Sequence, residues 1–115
     1  MGVIAKRPIA NAVWRSEKDP GGRNGVYWKR MDKLAYDFTK GDKRTDTGPD
    51  GAAGIALRFT LAAPVDVAIV GTTKPERWKQ NAELLRAGGP LPKELFDKIR
   101  ARWKEVAEPG WKGQT

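Results

Sequence analysis

Two short apolar runs, residues 2–5 and 65–70, are the only good strand signals in this chain, and long stretches of helical pattern separate them. The second run, Val65 to Val70, is β-branched and halted by Gly71, and its near-continuous apolar character suits a parallel strand covered on both faces. The first, Gly2 to Ala5, reads as a buried strand that stops at Lys6, Arg7 and Pro8, because proline donates no ladder hydrogen bond and biases its predecessor toward extended geometry. Parallel strands need crossovers, and the intervening pattern supplies them as helices.

Those helices can be placed by spacing. Residues 15–25 are dense in turn formers and read as a long loop. Tyr27, Met31, Leu34, Ala35 and Phe38 then share one helical face. After a polar loop over residues 40–51, Asp50 is a candidate N-cap for a helix from Ala52 to Ala63 that is apolar almost all round, with Arg58 and Thr60 the exceptions. Pro64 ends it. Thr73 and Glu76 stand at capping-box spacing for a helix carrying Trp78, Ala82 and Leu85, closed at residues 87–90 by Gly88, Gly89 and Pro90. Leu95, Ile99, Trp103 and Val106 mark a last amphipathic helix. The fold class is α/β, and a parallel pair alone leaves two open edges and an unfinished core.

Composition limits the chemistry. The chain has 115 residues, enough for one small domain, with no cysteine and no histidine. Thiolate catalysis, disulfides, cysteine metal sites and the commonest general base are therefore excluded. No run of about 18 apolar residues and no secretory leader pattern occurs, which makes the expected location cytoplasmic, away from membranes. The net charge is +8, and such a surplus attracts phosphates. It is spread evenly, with 11 basic and 7 acidic residues in each of the segments 1–50 and 51–115, so it reads first as a solvated basic surface rather than a nucleic-acid arm.

The segment with the most specific signal is residues 65–81: a strand, then Gly71, Thr72 and Thr73, then a helix whose first turns carry Arg77, Gln80 and Asn81. Glycine admits a close backbone approach, the hydroxyls can bond phosphate oxygens, and the helix N-terminus is electropositive. Arg77 can reach a phosphate and stack on a purine, and Gln80 and Asn81 can each donate and accept toward an adenine edge. The same residues also admit a purely structural account, with Thr73 and Glu76 as a cap and Asn81 bonding nearby backbone.

The whole run from Asp66 through Gly71, Thr72 and Thr73 to Lys79, Gln80 and Asn81 resembles the last strand and following helix of the aldo/keto reductases. Residues 2–10, including Lys6, Arg7 and Pro8, resemble the seventh barrel strand of that family, and Ala56, Leu57, Arg58 and Phe59 the helix joining strands seven and eight. The resemblance implies a partial (β/α)8 TIM barrel comprising its last two units and a C-terminal helix, with residues 1–115 forming the C-terminal part of an NADP-dependent oxidoreductase. A complete barrel of this kind takes about 250 residues. It further implies that Thr72 and Arg77 contact the adenosine 2′-phosphate of NADP with help from the backbone near Thr73, that Gln80 and Asn81 meet the adenine, and that residues 7–11 pass along the pyrophosphate.

Two positions depart from the family pattern: Gly71 stands where many members have lysine, leaving preference for NADPH over NADH mainly to Arg77, and Lys6 stands where many place an aromatic against nicotinamide. Lys6 can approach a pyrophosphate or a substrate, or serve as a rim lysine with no ligand role. The family's catalytic Asp, Tyr, Lys and His belong to earlier units. Tyr27 and Tyr36 match no proton-donor motif, so no catalytic residue carries over and the chain alone is expected to be inactive. The expected partners are the missing N-terminal barrel portion or a second copy, with a small carbonyl compound as substrate of the full enzyme. A different class of function, a non-catalytic nucleotide- or partner-binding α/β domain, accounts for the same strands and their open edges. Nucleic acid is the less favoured partner: the five tryptophans can stack on bases, but tryptophan beside lysine more often marks a packed helix face.

Overall fold

The computed structural model describes residues 2–70 and 74–111. It is an α/β arrangement in which β1 (Ile4–Lys6) pairs in parallel with β2 (Val67–Ile69), in the register Ile4 with Val67, Ala5 with Ala68 and Lys6 with Ile69. Between the strands run α1 (Gly22–Leu34), α2 (Ala52–Ala62) and short 3-10 segments at Ala10–Arg15, Asp37–Thr39 and Gly41–Arg44. After β2 come α3 (Glu76–Gly88) and α4 (Lys93–Val106). The Asp66 carboxylate tightens the start of the strand pair by accepting from the Val3 N–H at 2.6 Å, while the Asp66 N–H donates to the Val3 carbonyl at 2.8 Å. No helix among the described residues is long and apolar enough to cross a membrane.

A helix apolar on every side must be surrounded, and the first two turns of α2 are: Ala52, Ala53, Gly54, Ile55, Leu57 and Arg58 are buried, but its end is open, with Leu61 47% exposed, so the expected burial on every side holds only for the first part of the helix. Small residues on its first turn let the preceding chain come close. A Cβ on Gly54 would lie 2.5 Å from the Pro49 carbonyl oxygen and 2.7 Å from that of Gly48. Around α2 the core gathers Trp14, Phe38, Leu91 and Ile99. The guanidinium of Arg58, the exception in the apolar pattern, is buried too, donating from Nε to the Gly89 carbonyl at 3.0 Å and from Nη1 to the Pro49 carbonyl at 3.1 Å. It thereby ties the end of α3 to α2.

Four expectations are corrected. The strands are not covered on both faces: Ile4 is 64% exposed and Val67 and Ile69 53% each, while Ala5 and Ala68 between them are half-buried. Two strands carry helices on one side only, and side chains alternate, so every second residue is left in the open. The loop at residues 15–25 gives way at Gly22 to α1, whose entry is closed by the Asp19 carboxylate accepting from the Gly21 N–H at 2.8 Å. The helix expected to run to Phe38 stops at Leu34, because Ala35 turns left-handed at φ 52°. That reversal buries Phe38 stacked on Tyr36, ring centroids 5.1 Å apart. Finally, Asp50 caps nothing: Gly51 holds the N-cap position, and the Asp50 carboxylate faces Arg58 Nη1 at 3.3 Å. The capping role read for Thr73 lies outside the described residues. The remaining elements stand near where their spacing put them.

Helix α4 is fastened to the end of α1 by Arg102 Nε, which donates to the Leu34 carbonyl at 2.7 Å, and by the Tyr36 hydroxyl, which donates to the Ile99 carbonyl at 3.1 Å. Burial pushes the Tyr36 phenol up to about 12, with Arg102 pulling the other way. An acid held protonated in the folded state contributes stability that is whole below its unfolded value, 10.0, and is lost as pH climbs toward the folded value. Urea melts should therefore show stability falling between pH 10 and 12, and Tyr36→Phe should flatten part of that fall. An equal slope in both proteins would remove Tyr36 as the cause.

Candidate functional site

In parallel sheets, ligands gather outside the carboxyl ends of the strands, where the following loops and helix starts converge. Such a cavity is present here, with a volume of about 700 Å³. Lys6 and Arg7 enter it from the end of β1, Ile69 and Val70 from the end of β2, Asn11 and Arg15 from the 3-10 segment, and Lys74, Arg77 and Asn81 from the approach to α3 and its first turns. Ala53 of α2 closes the floor. Among the described residues its wall holds five cationic side chains and no carboxylate. A concave, one-signed wall focuses potential and favours an anion.

Of the residues singled out in the sequence, Lys6, Arg7, Arg77 and Asn81 meet at this cavity. Gln80 lies in an adjoining cavity of about 350 Å³, lined also by Thr47, Gly48, Pro49, Glu83, Leu84 and Ala87. Gly71, Thr72 and Thr73 lie outside the described residues. Two cations escaped the sequence reading. Lys74 stood inside the recognised run without an assigned role, and Arg15 stood in a turn-rich stretch whose local pattern says nothing about where it returns to the fold. Part-burial of its guanidinium, and then the neighbouring charge of Arg77, lower the Arg15 pKa from its ordinary value.

The 3-10 segment and its approach are unusual in their backbone. Arg7, Ala10, Asn11 and Ala12 all have positive φ, 57°, 45°, 56° and 54°. Asparagine tolerates that region, but for alanine or arginine it costs roughly 1–2 kcal/mol per residue. Strain of this kind persists only where surroundings over-determine it, and it gathers at functional loops. The surroundings are visible: Val13 and Trp14 are buried at 5% exposure each, Asn11 Nδ2 donates to Asn24 Oδ1 at 3.1 Å, and Arg7 Nη1 donates to the Tyr27 hydroxyl at 2.8 Å. The anchors hold Arg7, Asn11 and Arg15 along one wall of the cavity. The tryptophans, by contrast, are divided: Trp14 lies in the core, Trp78 is exposed on α3, and Trp103 of α4 meets Trp111 edge-on with ring centroids 5.5 Å apart.

Compared with known proteins, the chain matches no family model, no curated protein and no solved structure.

Proposed function

We propose that this chain is the cofactor-binding, C-terminal part of an NADP-dependent aldo/keto reductase, two units and a tail helix of a (β/α)8 barrel. The observation that carries the reading is the cation-lined cavity at the carboxyl ends of two adjacent parallel strands, where Lys6, Arg7, Arg77 and Asn81 converge. The donor set suits NADP: several cations for its phosphates and, beside them, amide side chains for an adenine edge. The open face formed by Ile4, Val67 and Ile69 suits strands that border the rest of a barrel, supplied by an N-terminal portion or by a second copy.

When bound, NADPH supplies a hydride for a carbonyl carbon. The residues of this chain bind and orient it: Arg77 holds a phosphate, Gln80 and Asn81 fix the base, and Arg7 and Lys6 balance charge along the strand ends. Holding reacting atoms in place in this way supplies a substantial share of a rate enhancement. A non-catalytic nucleotide-binding role uses the same cavity and differs only in lacking the groups that protonate a substrate.

The test is a fluorescence or calorimetric titration of the full chain with NADPH and NADH. NADPH should bind more tightly, and Arg77→Ala should weaken NADPH about 10- to 100-fold, the range for a hydrogen bond to a charged group, while NADH changes little. Equal weakening of both cofactors, or no NADPH binding by the wild type, would overturn the reading.

A further inference from the structure

The two cavities share four wall residues, Arg15, Ala53, Arg77 and Asn81. They therefore adjoin, and the shared residues form the waist between them. One cavity is strongly basic. The other carries the carbonyl-rich segment of Thr47, Gly48 and Pro49, the apolar Leu84 and Ala87, the amide of Gln80, and one carboxylate, Glu83.

We propose that Arg15 and Arg77 together clamp a phosphate monoester dianion at this waist, making Arg15 a second determinant of the choice between a 2′-phosphorylated adenosine ligand and its unphosphorylated counterpart. The inference rests on the function proposed above and adds to it a residue that no motif identified. Among the described residues, no ion pair involves either guanidinium, and the acids nearest to Arg15 in sequence are engaged elsewhere: Glu17 with Arg44 at 3.2 Å and Asp19 with Lys29 at 3.5 Å. Two like charges held close without a counterion raise the energy of the empty site, and a dianion between them reverses the sign of that contribution. The Arg15 pKa, lowered first by partial burial and then by the charge of Arg77, agrees with that placement. Planar guanidinium forks also match phosphate oxygens in pairs.

The segment that presents Arg15 is built to hold it. Arg15 is the last residue of the 3-10 segment, directly after the buried Val13 and Trp14, and the Ser16 N–H closes the turn on the Val13 carbonyl at 3.1 Å. Arg77 comes from the first turn of α3, whose seat is fixed by Arg58 at the other end of that helix. The waist thus has two jaws on separate, anchored elements. A base on the Gln80 side and a pyrophosphate on the Lys6, Arg7 and Lys74 side would place a 2′-phosphate between them.

The experiment titrates the full chain with adenosine 2′,5′-bisphosphate and with adenosine 5′-monophosphate, using the wild type, Arg15→Ala, Arg15→Lys and Arg77→Ala. Arg15→Ala should weaken the bisphosphate about tenfold, leave the monophosphate within about threefold, and not lower the melting temperature of the ligand-free chain, since a repulsion is removed. Arg15→Lys, which keeps the charge and loses the fork, should fall between alanine and the wild type. Wild-type affinity in Arg15→Ala beside a loss in Arg77→Ala would overturn the clamp and leave the proposed function standing. Equal weakening of both ligands by Arg15→Ala would reduce Arg15 to a general field effect and also overturn it. A wild-type chain without preference for the bisphosphate would sink both readings together.

Discussion

Arg58→Ala is expected to lower the unfolding free energy by about 3–5 kcal/mol, the range for breaking a buried charged network on one side. The side chain is 6% exposed, and its guanidinium spans three carbonyls: Gly89 at 3.0 Å from Nε, Pro49 at 3.1 Å from Nη1 and Pro90 at 3.3 Å from Nη2. Alanine leaves those acceptors facing a void where the aliphatic stem used to pack, and each unpaired carbonyl costs about 1–3 kcal/mol unless water reaches it. A domain of this size has about 5–15 kcal/mol of stability in all, so the loss should be plain in a denaturant melt. The ion pair with Asp50 contributes little of this, because that carboxylate is 83% exposed and solvent screens it. Asp50→Ala should therefore cost under about 1 kcal/mol. Arg58→Lys should not restore stability, since a single ammonium cannot span the planar fork. A loss below about 1 kcal/mol for Arg58→Ala would show the three carbonyls to be served by other donors. The site shares the consequence: Arg58 holds the turn that ends α3, and α3 carries Arg77.

Leu34→Ala should cost about 3 kcal/mol, within the range measured for emptying a leucine site in a packed core. Leu34 is 2% exposed and is the last residue of α1. Its carbonyl accepts from Arg102 Nε, and the chain reverses immediately afterwards at Ala35. The side chain cannot be replaced by local collapse without moving the joint between α1 and α4. Val67→Ala and Ile4→Ala provide the contrast. Those positions are more than half exposed, so each should cost under about 1 kcal/mol in this chain, although both residues look like core in the sequence. The comparison is a stability measurement by chemical denaturation, and a strand substitution costing as much as Leu34→Ala would mean that the strand face is covered in solution.

Covering that face would be informative in its own right. The two strands leave Ile4, Val67 and Ile69 in the open, and under the proposed function the remaining strands of a barrel would cover them.

Local pattern was enough to determine the order strand, helices, strand, helices, the burial of the first two turns of α2, the stop of α3 at its paired glycines and the amphipathic face of α4. Each depends on near neighbours: side-chain periodicity, proline's missing donor and glycine's freedom at positive φ. Four of the residues singled out in the sequence, Lys6, Arg7, Arg77 and Asn81, line one cavity; Arg77 and Asn81 were read from the strand, turn and helix pattern, and Lys6 and Arg7 were given a ligand role only by the resemblance. Tertiary structure alone decided the rest. Periodicity tells which face of an element is apolar but not whether anything covers it, so the open side of the strands was invisible. It cannot tell that Ala35 turns back, that Arg58 is satisfied by carbonyls from two distant turns, or that Arg15 returns beside Arg77. Those facts depend on contacts between residues far apart in the chain, and only the folded backbone brings them together.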